Sequence, residues 1–113
     1  MSAGDVRVYV AVTPDDLARL LSGKPLAAGE RYAAVDDSEE AEYGALMAAA
    51  DASLRLQRGQ GRRVVVVAEL PDEDAVVQRR ELVAVHMDTE ERGAAADPDD
   101  DLSWFAPQEL DRA

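Results

Sequence analysis

Arg62-Arg63-Val64-Val65-Val66-Val67-Ala68-Glu69-Leu70 is the stretch that decides the fold. From Val64 onward it is β-branched and apolar at odd and even positions alike, the composition of a central strand covered on two sides. Pro71 and the acidic turn Asp72-Glu73-Asp74 end it, because proline cannot donate to a ladder and adjacent acids seek water.

Toward the N-terminus, Gly59 and Gly61 close a helix predicted over residues 39–58, opened by an Asp37 or Ser38 cap with glutamates in its first turn. Tyr43, Leu46, Met47, Ala50 and Leu54 share one face and are expected to pack on the central strand, while Gly44, Ala45, Ala48, Ala49 and Ala52 permit close approach. Residues 31–35 read as a brief strand. Val6, Val8, Val10 and Val12 alternate with Arg7, Tyr9 and Ala11, the period-two pattern of a strand with one face in the core. That strand runs into Thr13-Pro14-Asp15-Asp16, where Thr13 can cap a helix, Pro14 suits its first position and the aspartates oppose the dipole. Val12 and Leu17 are spaced for a hydrophobic staple, Leu17, Leu20 and Leu21 form the apolar stripe, and Gly23 and Pro25 stop the helix.

Toward the C-terminus, residues 82–87 read as another valine-rich strand, with Leu82, Ala84 and His86 on one face. Asp88-Thr89-Glu90-Glu91 is expected to start a short helix reaching residue 96, and residues 97–101 form an acidic loop. Leu102-Ser103-Trp104-Phe105 holds the only tryptophan and the only phenylalanine, so residues 102–113 are predicted to dock on the domain with both rings in an apolar slot. The order β-α-β-α-β-β-α implies an α/β (α+β) fold, with a mixed sheet of three or four strands and helices mainly on one face, ferredoxin-like in outline.

At 113 residues and 47% hydrophobic content the chain has material for one core, so residues 1–113 are read as one domain. The absence of cysteine excludes disulfides, zinc–thiolate sites and cysteine nucleophiles. Residues 1–5 lack a basic region and an apolar run, and the longest apolar stretch is too short to span a bilayer, so a cytoplasmic location is expected. One lysine against eleven arginines, with no isoleucine or asparagine and abundant alanine and valine, suits a GC-rich coding sequence. The net charge of −12 is uneven: residues 69–113 carry fourteen acids and four bases, and residues 1–68 carry ten acids and eight bases. A field of that sign disfavours nucleic acid and anionic membrane as direct partners and favours a protein with a basic surface; a sheet edge or the small-residue helix face would also allow a homodimer.

No complete catalytic set can be read. His86 and Asp88 lie two apart on one strand face, which supplies two groups of a metal or acid–base site and no third. Asp97, Asp99 and Asp101 match positions 1, 3 and 5 of a calcium loop, but Leu102 replaces its glycine and Gln108 its bidentate glutamate, so an EF-hand is excluded. Trp104-Phe105-Ala106-Pro107-Gln108-Glu109-Leu110 looks like the closing segment of Nudix hydrolases; aligned on Arg80-Glu81, however, that signature meets Ala84-Val85 where its metal-binding glutamates belong. Arg55, Arg58, Arg62 and Arg63 form the one basic cluster, without a glycine-rich phosphate loop beside it.

Several motifs together resemble a family of small uncharacterised actinobacterial proteins, catalogued as a domain of unknown function. They are Val6-Arg7-Val8-Tyr9-Val10, Glu42-Tyr43 with Ala45-Leu46, Arg63-Val64-Val65-Val66, Val83-Ala84-Val85-His86-Met87-Asp88 and Ser103-Trp104-Phe105-Ala106-Pro107-Gln108-Glu109-Leu110. The resemblance covers nearly the whole chain and implies folding elements, with no activity, cofactor or catalytic residue to carry over.

Three functions are compatible with these features. The first is a non-catalytic protein-binding or regulatory module, without metal or organic cofactor, that meets its partner through Asp97, Asp99, Asp100, Asp101 and Trp104. The second is a small enzyme or ligand-binding domain in which Tyr9, Glu69, His86 and Asp88 converge. The third is an acidic mimic of nucleic acid, in which the carboxylates from Asp88 onward imitate a phosphate backbone.

Overall fold

The valine run becomes the middle of a sheet. In a computed structural model of the chain, which describes residues 5–26, 29–91, 97 and 100–110, the elements follow in the order β1 (Val6–Val12), α1 (Pro14–Leu21), β2 (Arg31–Tyr32), α2 (Glu39–Leu56), β3 (Val64–Leu70), β4 (Leu82–Met87), β5 (Ser103–Phe105) and α3 (Pro107–Leu110). The strands form one five-stranded sheet in the order β2-β1-β3-β4-β5, and every neighbouring pair is antiparallel. The α/β class stands, while the mixed sheet of three or four strands is corrected. The fifth strand lies in the aromatic tail, where Trp104 pairs with His86 and Phe105 with Val85. The element order also departs from the β-α-β-β-α-β order of a ferredoxin-like domain.

Both faces of β3 are buried, as its composition demands. On the first face Val64, Val66, Ala68 and Leu70 join Val8, Val10 and Val12 of β1, Leu17 and Leu20 of α1, and Val77. Phe105 and Leu110 pack at the edge of this cluster. On the second face Val65 and Val67 meet Tyr9, Ala84 and the alanines Ala45, Ala49 and Ala50 of α2. Helices therefore lie on both faces, α1 and α3 on one and α2 on the other, instead of mainly on one. Two faces of a β-branched strand leave two apolar surfaces to cover, and one helix layer cannot cover both.

The caps follow the sequence. Thr13 accepts from the Asp16 amide at 3.1 Å while the Asp16 carboxylate accepts from the Thr13 amide, and Ser38 accepts from the Ala41 amide at 3.1 Å. Of the expected face, α2 buries Ala50 and packs Leu46 against the second cluster, but it also buries the small residues Ala45, Ala49, Ala52 and Ser53 and, against expectation, leaves Tyr43 about half exposed. Alanines let the helix axis approach the sheet closely, so the Tyr43 side is pushed outward. The buried Ser53 hydroxyl donates to the Val12 carbonyl at 2.6 Å and accepts from the Val64 amide at 2.9 Å, tying α2 to the ends of β1 and β3. Between β3 and β4 the register slips by one residue, leaving Val83 as an unpaired, exposed bulge. No helix forms at residues 88–91; residues 92–96, the rest of that expected helix, lie outside the described part.

Candidate functional site

The second face of the sheet is only partly roofed. α2 packs on β2, β1 and β3, and the β4–β5 side stays open beside it. The result is a hollow of about 430 Å³ with Val67, Ala84, His86 and Trp104 as its floor and Tyr43 and Leu46 of α2 as its wall. Strand alternation explains the floor: His86 and Trp104 are directly opposed across the β4–β5 ladder, so their side chains share a face. Helical spacing explains the wall, since Glu39, Glu42, Tyr43 and Leu46 recur at intervals of three and four.

Polar groups meet at one end of the hollow. The half-exposed Arg7 guanidinium donates to Glu42 Oε1 at 3.3 Å and to Glu69 Oε2 at 3.2 Å. The Tyr9 hydroxyl donates to the same Glu42 Oε1 at 3.1 Å. Burial, reinforced by the Glu42 charge, raises the Tyr9 phenol above its ordinary pKa, so it stays a neutral donor. Burial also holds the His86 imidazole below its ordinary pKa, which keeps it uncharged near neutral pH. Arg7, Tyr9 and Glu42 also line a second depression of about 560 Å³, which continues past Asp5, Asp36 and Asp37. The two depressions adjoin at the shared residues Arg7, Tyr9 and Glu42, and together they make a trough with aromatic lining on one side of that junction and acidic lining on the other.

Of the polar residues expected to converge, Tyr9 and His86 line the hollow and Glu69 adjoins it through Arg7. Asp88 does not. It is buried against the fully buried Arg63, whose Nε and Nη2 donate to its two carboxylate oxygens at 2.9 and 2.8 Å, and whose amide donates to Oδ2 at 2.9 Å. The same Nη2 donates to the Asp100 carbonyl at 2.8 Å, pinning the acidic loop to the start of β3. The expectation that Asp88 works with His86 is therefore corrected: the Arg63 pair holds its carboxylate.

The basic cluster is dispersed by the same step. Arg63 is internal, Arg55 reaches out to Glu30 at 3.1 Å, and Arg58 takes a positive φ of 60° at the helix end. Asp97, Asp100 and Asp101 are exposed, and the Tyr43 hydroxyl donates to Asp101 at 3.2 Å; Asp99 lies outside the described residues. Trp104 is 57% exposed on the floor of the hollow, so the expected slot is occupied by Phe105 alone. An edge strand shows one side chain to the core and the next to the open face, and two adjacent aromatics cannot share a slot. Sequence reading missed Arg7, Glu42 and Tyr43 as site residues. The signal available was the pairing of Arg7 and Tyr9 on the wetter face of an alternating strand.

A family of unknown function, DUF6912, matches residues 6–112. The chain belongs to this family. The match begins at the first residue of β1 and runs past α3, so the Arg63–Asp88 pair and every trough residue but Asp5 fall within the DUF6912 domain. No curated protein and no solved structure matches the chain. Among the described residues, no three His, Asp or Glu side chains gather as a metal site requires, and no helix is long and apolar enough to cross a membrane.

Proposed function

We propose that this chain is a non-catalytic binding module that meets a protein with a basic surface, and that the trough on the half-roofed face is where it does so. The observation that carries this reading is the open hollow itself. It exposes Trp104 and Tyr43 beside Glu39 and Glu42, and exposed aromatics edged by polar groups typify contact surfaces. The acidic half of the sequence adds long-range attraction for a cationic partner. A second copy of the chain fits less well, because two bodies of charge −12 repel.

Affinity capture of the chain's partner, followed by association-rate measurements across ionic strength, tests the reading. The rate is expected to fall steeply as salt rises. Replacing Asp100 and Asp101 by Ser should slow association more than the equal charge change at Asp15 and Asp51. A rate indifferent to salt and to both replacements overturns the proposal, and a salt-strengthened homodimer in sedimentation redirects it to self-association.

A further inference from the structure

We propose that the aromatic end of the trough is a subsite for one arginine side chain of the partner, and that Arg7 is an internal stand-in which the incoming guanidinium displaces from Glu42. This rests on the binding reading above and adds the chemistry of the group bound. Arg7 shows that a guanidinium is tolerated against Glu42, yet its hold there is weak. The contacts of 3.3 and 3.2 Å exceed the 2.7–2.9 Å of strong charge-assisted bonds, and the arginine is half exposed to screening water. The sealed Arg63–Asp88 contact at 2.8 Å is the reference for a pair that is not displaced.

Glu42 has capacity to spare. Its Oε1 accepts from both Arg7 and Tyr9, while its Oε2 has no protein partner among the described residues. Trp104 and Tyr43, 57% and 48% exposed, line the same hollow as Glu42, and aromatic rings attract a flat cation. His86, kept neutral by burial, adds no opposing charge to the floor. After displacement Arg7 retains Glu69, so the exchange strands no cation. A planar guanidinium can stack on the rings and pair with a carboxylate at once, which a lysine ammonium cannot do in the same geometry.

The test uses a capped pentapeptide with a single arginine in a glycine–serine frame, matched peptides carrying lysine or citrulline, and free guanidinium and spermidine. Binding is followed by amide chemical shifts and by fluorescence of Trp104, the only tryptophan. The arginine peptide should quench Trp104 and bind about tenfold more tightly than the citrulline peptide, with lysine between them. Trp104→Ala and Glu42→Gln, checked for folding by circular dichroism, should each weaken binding by up to about tenfold. Arg7→Gln should tighten it, because the internal competitor is gone. If Arg7 were a brace for the site, the same change would weaken binding, and that result overturns the proposal. Free guanidinium competing with the arginine peptide for the site supports it, whereas equal binding of arginine and citrulline peptides overturns it, as does free spermidine binding as tightly as the arginine peptide. In those cases a captured basic partner with salt-dependent association would still uphold the broader reading, whereas loss of both removes the two together.

Discussion

Arg63 and Arg7 carry the same head group and each reaches a carboxylate across a strand boundary, yet they occupy opposite kinds of surroundings. Arg63 has no exposed surface, pairs bidentately with Asp88 and is fastened besides to the Asp100 carbonyl. Arg7 is half exposed and divides itself between Glu42 and Glu69 at longer range. The difference teaches that burial, and not the identity of the pair, decides whether an ion pair in this fold is a fixture or a movable contact. Removing water strengthens the mutual attraction and makes any unpaired remnant costly, whereas water at Arg7 replaces whatever contact is lost.

The sharpest separation of sealed from open regions is expected at the sheet. Val66→Asp places an uncompensated charge on the fully buried first face and should cost about 4 kcal/mol or more. Val83→Asp, at the exposed bulge, should cost less than about 1 kcal/mol. Chemical denaturation of both variants measures the gap, and equal midpoints would mean that β3 is not interior.

Next in size is Asp88→Ala, which strands a buried guanidinium and should cost about 3 kcal/mol. Hydrogen exchange should show residues 100–102 losing protection in the same variant, because Arg63 also anchors that loop. Arg7→Ala is the open counterpart and should change stability by less than about 1 kcal/mol. A loss comparable to that of Asp88→Ala would place Arg7 among the fixtures and end the contrast.

The smallest expected effect is a pH dependence from His86. Its folded-state pKa lies below the ordinary 6.5, so the unfolded chain takes up the proton first as pH falls. The stabilisation is complete above about pH 6.5 and is lost as pH drops from there toward the depressed folded value. His86→Gln should flatten that part of a stability–pH curve. An unchanged slope would show that the imidazole is as wet in the folded state as in the unfolded.

Much of the scaffold was legible. β1, β3 and β4, the starts of α1 and α2 and the Thr13 cap follow from alternation, β-branching and capping chemistry, all of which are local in sequence. The parts that escaped depend on distance along the chain. β5 is three residues long and is a strand only because β4 offers it a ladder. Asp88 and Arg63 are separated by 25 positions, and no local pattern announces that they pair. The face of α2 was misjudged at Tyr43, because larger side chains usually mark the buried side, whereas close approach to the sheet here selects alanine. Of the candidate site, Tyr9, His86 and Trp104 were named, but their meeting point depends on where α2 stops covering the sheet.

That stopping point gives the Ser53 hydroxyl a consequence at a distance. It clamps α2 near its C-terminal end to the last rung between β1 and β3, so the helix resembles a lever with its fulcrum there. At 1.5 Å of rise per residue, Glu42 lies about 16 Å along the arm, and a tilt of about 5° swings it by about 1.4 Å. The aperture between Tyr43 and Trp104 is thus set by the thickness of the alanine layer beneath the arm. A single added methyl at Ala45 or Ala49 would retune what the trough admits without altering any residue that lines it.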